Sequence, residues 1–267
     1  MKSNSFHTSF QINGKIFSNS EELVQFSQSI SKEINQFLKE WFSDAHYVLV
    51  NTSGSTGIPK TIKLRKDFMI NSALATGRYF QLGENTKALC CLPIKFIAGK
   101  MMLVRALSLG WDLDVIESTS NPLQEITKEY DFSAMVPLQL RNSISQIDQI
   151  KTLIVGGGVV SRDLNIAIQT VDTKCYATYG MTETITHVAI KKLNKFTKLE
   201  LESESVYKTL PDVTISKDKR SCLVINAPKI SDVNIITNDV VEVVSKTEFN
   251  WKGRLDHVIN SGGVKLH

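Results

Sequence analysis

No apolar run in this 267-residue chain approaches the roughly 20 residues needed to cross a bilayer, and the N-terminus carries Ser, Asn, His and Thr where a secretory signal needs an apolar core. A cytoplasmic protein is the expectation. Charge of one sign is also scarce. The formal net charge is +4, and the lysines are dispersed, with only short pairs such as Lys191-Lys192, so no electrostatic footprint for nucleic acid is present. Cysteine is limited to Cys90, Cys91, Cys175 and Cys222, in no CxxC arrangement, which excludes a disulfide framework and favours reduced core thiols. The five histidines show no zinc-type spacing. Repeats and low-complexity tracts are missing too. With 42% hydrophobic and 22% charged residues, what remains is an ordinary globular composition, long enough for one large domain or two modest ones.

Apolar periodicity then gives an outline. Phe10, Ile12, Ile16 and Phe17 alternate around Asn13-Gly14, which predicts a small hairpin. Ser20-Glu21-Glu22 opens a helix whose apolar positions Leu23, Phe26, Ile30, Ile34, Phe37 and Leu38 recur at helical spacing. Strands are expected at 47–50, 88–93, 112–116, 132–136, 152–155 and 174–177, with helices at 66–80, 100–109 and 163–170. This alternation argues for a layered α/β domain with a largely parallel sheet flanked by helices. From about residue 199 the texture changes to short strands, including 213–215, 222–226 and 239–244. The expected division is therefore an α/β core over 1–198, a small β subdomain over 199–255, and a hinge segment over 256–267.

Between the strand at 47–50 and the helix at 66 lies Thr52-Ser53-Gly54-Ser55-Thr56-Gly57-Ile58-Pro59-Lys60. Two glycines let the backbone approach a ligand so that successive N–H groups face an anion, the hydroxyls of Ser53, Ser55 and Thr56 add donors, and Lys60 adds a mobile positive charge. The stretch reads as a phosphate cradle. It is not a Walker P-loop, because Pro59 stands where that motif requires glycine before the lysine. Gly156-Gly157-Gly158, after the strand at 152–155, offers a floor free of side chains on which a planar group can lie.

Thr52 to Lys60 resembles the phosphate-binding signature of the adenylate-forming superfamily (acyl-CoA synthetases, luciferases and peptide-synthetase adenylation domains), at every fixed position. Tyr179-Gly180-Met181-Thr182-Glu183 is similar to that family's aromatic-Gly-x-Thr-Glu motif, and Gly253-Arg254-Leu255-Asp256 followed by Gly262-Gly263-Val264-Lys265 to its hinge motif. The resemblance covers residue 47 to the end. It implies ATP as substrate, with the loop and Lys60 on the β- and γ-phosphates, Thr182 and Glu183 at the reacting centre, and Glu183 as the Mg2+ ligand, since a hard cation on nucleotide phosphates takes one or two protein carboxylates. By the same resemblance Tyr179 stacks on adenine, Gly180 and the glycine triplet line the nucleotide and acyl sites, Asp239 binds the ribose hydroxyls, Arg254 contacts ribose and phosphate, and Asp256 is the hinge. Asn238 departs from the family's glycine before that aspartate.

Pro93-Ile94, Gly99 and Arg105, with Val136-Pro137-Leu138-Gln139-Leu140, resemble the o-succinylbenzoate:CoA ligases. That implies a dicarboxylic aromatic acid held by Gly99, Lys100, Arg105, Gly156 and His187, then thioester formation with coenzyme A, in menaquinone biosynthesis. A dicarboxylate needs a cation beyond those serving ATP, because one carboxylate reacts while the other is held. Lys95 and Phe96 replace the histidine expected there. The family's C-terminal domain, with its catalytic lysine, has no counterpart in these 267 residues, and Lys265 belongs to the hinge motif. The chain alone is therefore expected to bind ATP and acid yet adenylate weakly. A different acid, or a catalytically incomplete binding module, remains open, and oligomeric state is not legible.

Overall fold

A computed structural model describes residues 5–52, 60–197, 205–256, 259–261 and 264–266. Strands β1 (Gln11–Ile12) and β2 (Lys15–Ile16) form the N-terminal hairpin, turning through Asn13 (φ 49°) and Gly14 (φ 72°), the paired left-handed residues of a two-residue turn. The single helix expected from Ser20 is instead two, α1 (Ser20–Ser27) and α2 (Lys32–Phe42). The cause is local: the hydroxyls of Ser27 and Ser29 bond back to the Val24 and Phe26 carbonyls, while Ser31 caps α2 by accepting the Ile34 N–H at 3.1 Å. Buried Asn35 then pins the pair, donating to the Val24 carbonyl and the Ser27 hydroxyl.

The chain continues through β3 (Tyr47–Thr52), β4 (Lys60–Arg65), α3 (Lys66–Phe80), β5 (Lys87–Cys90), α4 (Ile97–Leu109), β6 (Asp112–Val115), β7 (Tyr130–Met135), α5 (Pro137–Asn142), β8 (Ile150–Val155), α6 (Arg162–Ala167), β9 (Lys174–Gly180), β10 (His187–Lys192), β11 (Tyr207–Thr209), β12 (Thr214–Lys217), β13 (Cys222–Asn226), β14 (Ile235–Ser245), β15 (Glu248–Arg254), β16 (Ile259–Ser261) and β17 (Val264–Leu266). The main sheet runs β12-β13-β14-β15-β11-β10-β9-β8-β7-β5-β6-β1-β2. From β9 to β1 neighbouring strands are parallel; from β9 outward to β12 they are antiparallel. The late short strands therefore extend the same hydrogen-bonded sheet through β10 and β11.

Strand alternation sends Phe132, Ala134 and Ile154 into one core with α3 and α4, and Met135, Leu153 and Val155 into a second with Leu140 of α5 and Leu164 of α6. The four cysteines are free and buried. Strand β3 is not part of the main sheet; it pairs antiparallel with β4, with Thr52 opposite Lys60. Ser53, Gly54, Ser55, Thr56 and Gly57 lie outside the described residues, as do the side chains of Thr52 and Lys60. Among the described residues no helix is long and apolar enough to cross a membrane.

Candidate active site

Gly156, Gly157, Gly158, Tyr179 and Gly180 lie at the C-terminal ends of β8 and β9, the edge at which open parallel sheets take ligands. After β8, the Gly156 N–H donates to the Met135 carbonyl at 3.1 Å and Gly157 turns with φ 74°. A Cβ on Gly156 would stand 2.5 Å from the Thr178 hydroxyl, so the absent side chain keeps the β8 and β9 ends in contact. Gly180 ends β9 under a tighter limit, since a Cβ there would lie 2.2 Å from the Thr186 carbonyl oxygen.

Between Gly180 and His187 the chain makes a 3-10 turn over Thr182–Thr184, then reverses at Ile185, whose φ of 64° and ψ of −59° close a γ-turn with the Thr186 N–H on the Thr184 carbonyl at 2.7 Å. That conformation is costly for a β-branched residue, on the order of 1–3 kcal/mol. It is held by burial of the Ile185 side chain in the core and by the Thr184 hydroxyl, which accepts the Met181 N–H and donates to the Thr186 carbonyl. The reversal leaves Glu183 exposed and turns His187 inward at the start of β10. His187 is thus not one helical turn beyond Glu183, as its spacing suggests; a strand start has replaced the turn.

A Mg2+ ion would find Glu183 as an exposed carboxylate with no ion pair among the described residues. Among those residues no group of three or more His, Cys, Asp or Glu could hold a metal. A single exposed carboxylate is the kind of donor that Mg2+ carried in on a nucleotide would take from the protein.

Asp239 on β14 is buried, and its carboxylate is the hub of a second group. Its Oδ2 accepts the Tyr179 hydroxyl at 2.7 Å, its Oδ1 accepts the Trp251 indole N–H at 3.1 Å, and Arg254 stands 3.7 Å away. The Tyr179 ring meets Phe249 and Tyr207 edge-on. Burial and the Asp239 charge raise the Tyr179 hydroxyl well above its ordinary value, so it remains a donor. Arg254 grips Asp256 through two hydrogen bonds of 2.8 and 2.6 Å. Trp251 was missed by sequence reasoning; its only signal is an aromatic residue three positions before the motif arginine.

The acid-site candidates separate. Lys100, on the first turn of α4, places its ammonium 5.0 Å from the Phe37 ring of α2, where burial lowers its pKa and Glu40 opposes that. Gly99 serves packing, since a Cβ there would meet the Pro93 carbonyl oxygen at 2.4 Å. Arg105, by contrast, is 1% exposed, and its guanidinium donates to the hydroxyls of Thr76 and Thr186 at 3.3 Å each and faces the Met102 sulfur at 3.7 Å. Among the described residues no carboxylate pairs with it, and burial lowers its pKa to about 10. The buried His187 ring lies 3.5 Å from those same two hydroxyls, and burial followed by the Arg105 charge holds it well below its ordinary value, hence neutral. Thr76 and Thr186 carried no motif signal. Only the packing of α3 and β10 around α4 brings them to Arg105.

The model of the AMP-binding enzyme family matches residues 11–216. The 2-succinylbenzoate–CoA ligase of Salmonella typhimurium is 23% identical over 238 residues, which is 88% of this chain and 46% of that protein, so the chain spans about half the length of this curated relative. The crystal structure of an acyl-CoA synthetase (AMP-forming)/AMP-acid ligase II-like protein from Dyadobacter fermentans is 40% identical, with a TM-score of 0.75, covering 88% of this chain and 69% of that one. Bacillus subtilis o-succinylbenzoate coenzyme A synthetase in complex with ATP and magnesium ion shares the fold at 16% identity and a TM-score of 0.68, covering 96% and 66% of the two chains. With three-quarters of its length inside the matched model and a 40% identical structure sharing its fold, the chain belongs to the AMP-binding enzyme family.

Proposed function

We propose that this chain is the nucleotide- and acid-binding part of an ATP-dependent acid:CoA ligase, and that its acid is a dicarboxylic aromatic acid of the o-succinylbenzoate type. The observation that carries the acid assignment is Arg105. An uncompensated buried guanidinium costs several kcal/mol, and a carboxylate arriving with the substrate offsets that cost. The Salmonella relative carries the 2-succinylbenzoate–CoA ligase name, which supports the same reading.

In the reaction, an oxygen of the acid's other carboxylate attacks the α-phosphorus of ATP, the bond to the bridging oxygen breaks, and pyrophosphate leaves. The thiol of coenzyme A then attacks the acyl carbon, AMP departs, and the thiol proton goes to solvent. The chain's part is to position and to neutralise charge. Residues 52–60 would cradle the β- and γ-phosphates. Gly156, Gly157 and Gly158 would floor the purine and acyl groups, with Tyr179 and Gly180 beside them. Asp239 would accept ribose hydroxyls on its remaining lone pairs, with Arg254 close by and Asp256 holding Arg254 in place. Mg2+ held by Glu183 would offset charge on the phosphates.

The test is ATP–pyrophosphate exchange and calorimetric binding across o-succinylbenzoate, benzoate and a fatty acid. We expect o-succinylbenzoate to bind at least tenfold tighter than benzoate. Equal affinity for the monocarboxylate would remove the distal carboxylate, and Arg105 with it, from the proposed site.

A further inference from the structure

A cavity of about 220 Å³ lies between α3, the start of β10 and the turns at 210–213 and 227–230. At roughly 30 Å³ per water it holds about seven waters, or a small organic acid. Leu74, Val188, Leu210 and Ile230 contribute apolar wall, and His187 forms part of its lining. Arg78 and Lys229 also line it, both exposed, and neither makes an ion pair among the described residues; Asp212 is the one carboxylate in the lining. Asn71 is committed elsewhere, donating to the Lys229 carbonyl at 2.8 Å.

The cavity shares a wall with the Arg105 group. Ser72 and Ala75 of its lining flank Thr76 on α3, and His187 touches both Thr76 and Thr186, the two hydroxyls that receive the Arg105 guanidinium. Two surface cations, an apolar passage and a buried cation behind one neutral histidine form a graded path for an anion. A half-apolar passage also suits an aryl or alkyl body following its carboxylate.

We propose that this cavity is the vestibule through which the non-reacting carboxylate of the acid reaches Arg105, with Arg78 and Lys229 attracting it and His187 as the side chain that moves aside. This rests on the acid assignment above and adds to it a route, the two cations Arg78 and Lys229, and a gating part for His187.

The experiment measures o-succinylbenzoate binding to the full chain by stopped-flow and calorimetry, with MgATP affinity and thermal unfolding as controls for folding. The double charge reversal Arg78→Glu with Lys229→Glu is expected to slow association on the order of tenfold at low ionic strength, and the difference should disappear near 1 M salt. Ala75→Phe, which narrows the passage, is expected to slow o-succinylbenzoate association at least tenfold while its equilibrium affinity and that for MgATP stay near those of the wild type. If both variants take up o-succinylbenzoate at the wild-type rate while Arg105→Met does not bind it, the vestibule is overturned and the acid site stands. If the wild-type chain binds no o-succinylbenzoate at all, the acid assignment and the vestibule fall together.

Discussion

Replacing Arg105 with methionine should abolish acid binding while leaving the stability of the ligand-free protein nearly unchanged. Burial brings the guanidinium from 12.5 to about 10, which corresponds to about 3 kcal/mol against the charged form, and no carboxylate among the described residues repays it. The substitution also deletes two hydrogen bonds from a charged donor, to Thr76 and Thr186; bonds to charged groups are worth about 1.5–3 kcal/mol each, and at 3.3 Å these two fall at the low end, about 3 kcal/mol together. Thr76 keeps its own bond to the Ser72 carbonyl, so it is not stranded. A methionine of similar length fills the space beside Met102. The two terms nearly cancel, leaving a net change within about 1 kcal/mol, or a Tm within about 4 °C of the wild type for a chain of this size. Scanning calorimetry of the two proteins without ligand measures it. A second scan with o-succinylbenzoate at about 100 times its Kd should stabilise the wild type by about 2.7 kcal/mol and leave the variant unmoved. A fall in Tm of more than about 8 °C for the ligand-free variant would refute the reasoning, because it would make Arg105 a structural clamp between α3, α4 and β10.

His187 should make stability pH-dependent. Its pKa is lowered in the folded state, so below about pH 6.5 the unfolded chain binds the proton and the folded one does not; stability then falls as pH drops, by up to about 1.4 kcal/mol per pH unit from this residue. His187→Gln should flatten that slope between pH 6.5 and 5 in urea titrations, and an unchanged slope would exclude His187 as its source. Tyr179→Phe removes one donor from a buried carboxylate and should cost about 1.5–3 kcal/mol in the same assay, whereas no cost would mean that the bond to Asp239 is not held in solution. Gly180→Ala forces a Cβ against backbone atoms and should cost about 1–3 kcal/mol, while Gly83→Ala, where nothing lies within 4 Å, should be close to neutral; equal effects would contradict the close approach of β9 and β10.

The amino-acid sequence alone made the elements of the parallel half legible, and several of the short strands beyond it. Helix α3 falls on its expected 66–80 and, in the antiparallel half, β13 on its expected 222–226, because hydrophobic period and turn chemistry are local properties, while Tyr179, Glu183, the glycine triplet and Asp239 are named by their resemblance to family motifs. The break between α1 and α2 was written there too, in Ser27, Ser29 and Ser31, but apolar period outweighed the caps. Tertiary structure alone decided which charges have partners. Lys100 and Arg105 lie five residues apart on one helix, and no pattern distinguishes them. Packing sends Lys100 to the Phe37 ring and buries Arg105 among hydroxyls supplied 29 residues earlier and 81 residues later. Likewise Asp239 acquires Tyr179 from 60 residues away, and β14 reaches the sheet only through β11 and β15. Burial and electrostatic compensation are sums over neighbours in space, and those neighbours are set by which strands pair and which helices cover them.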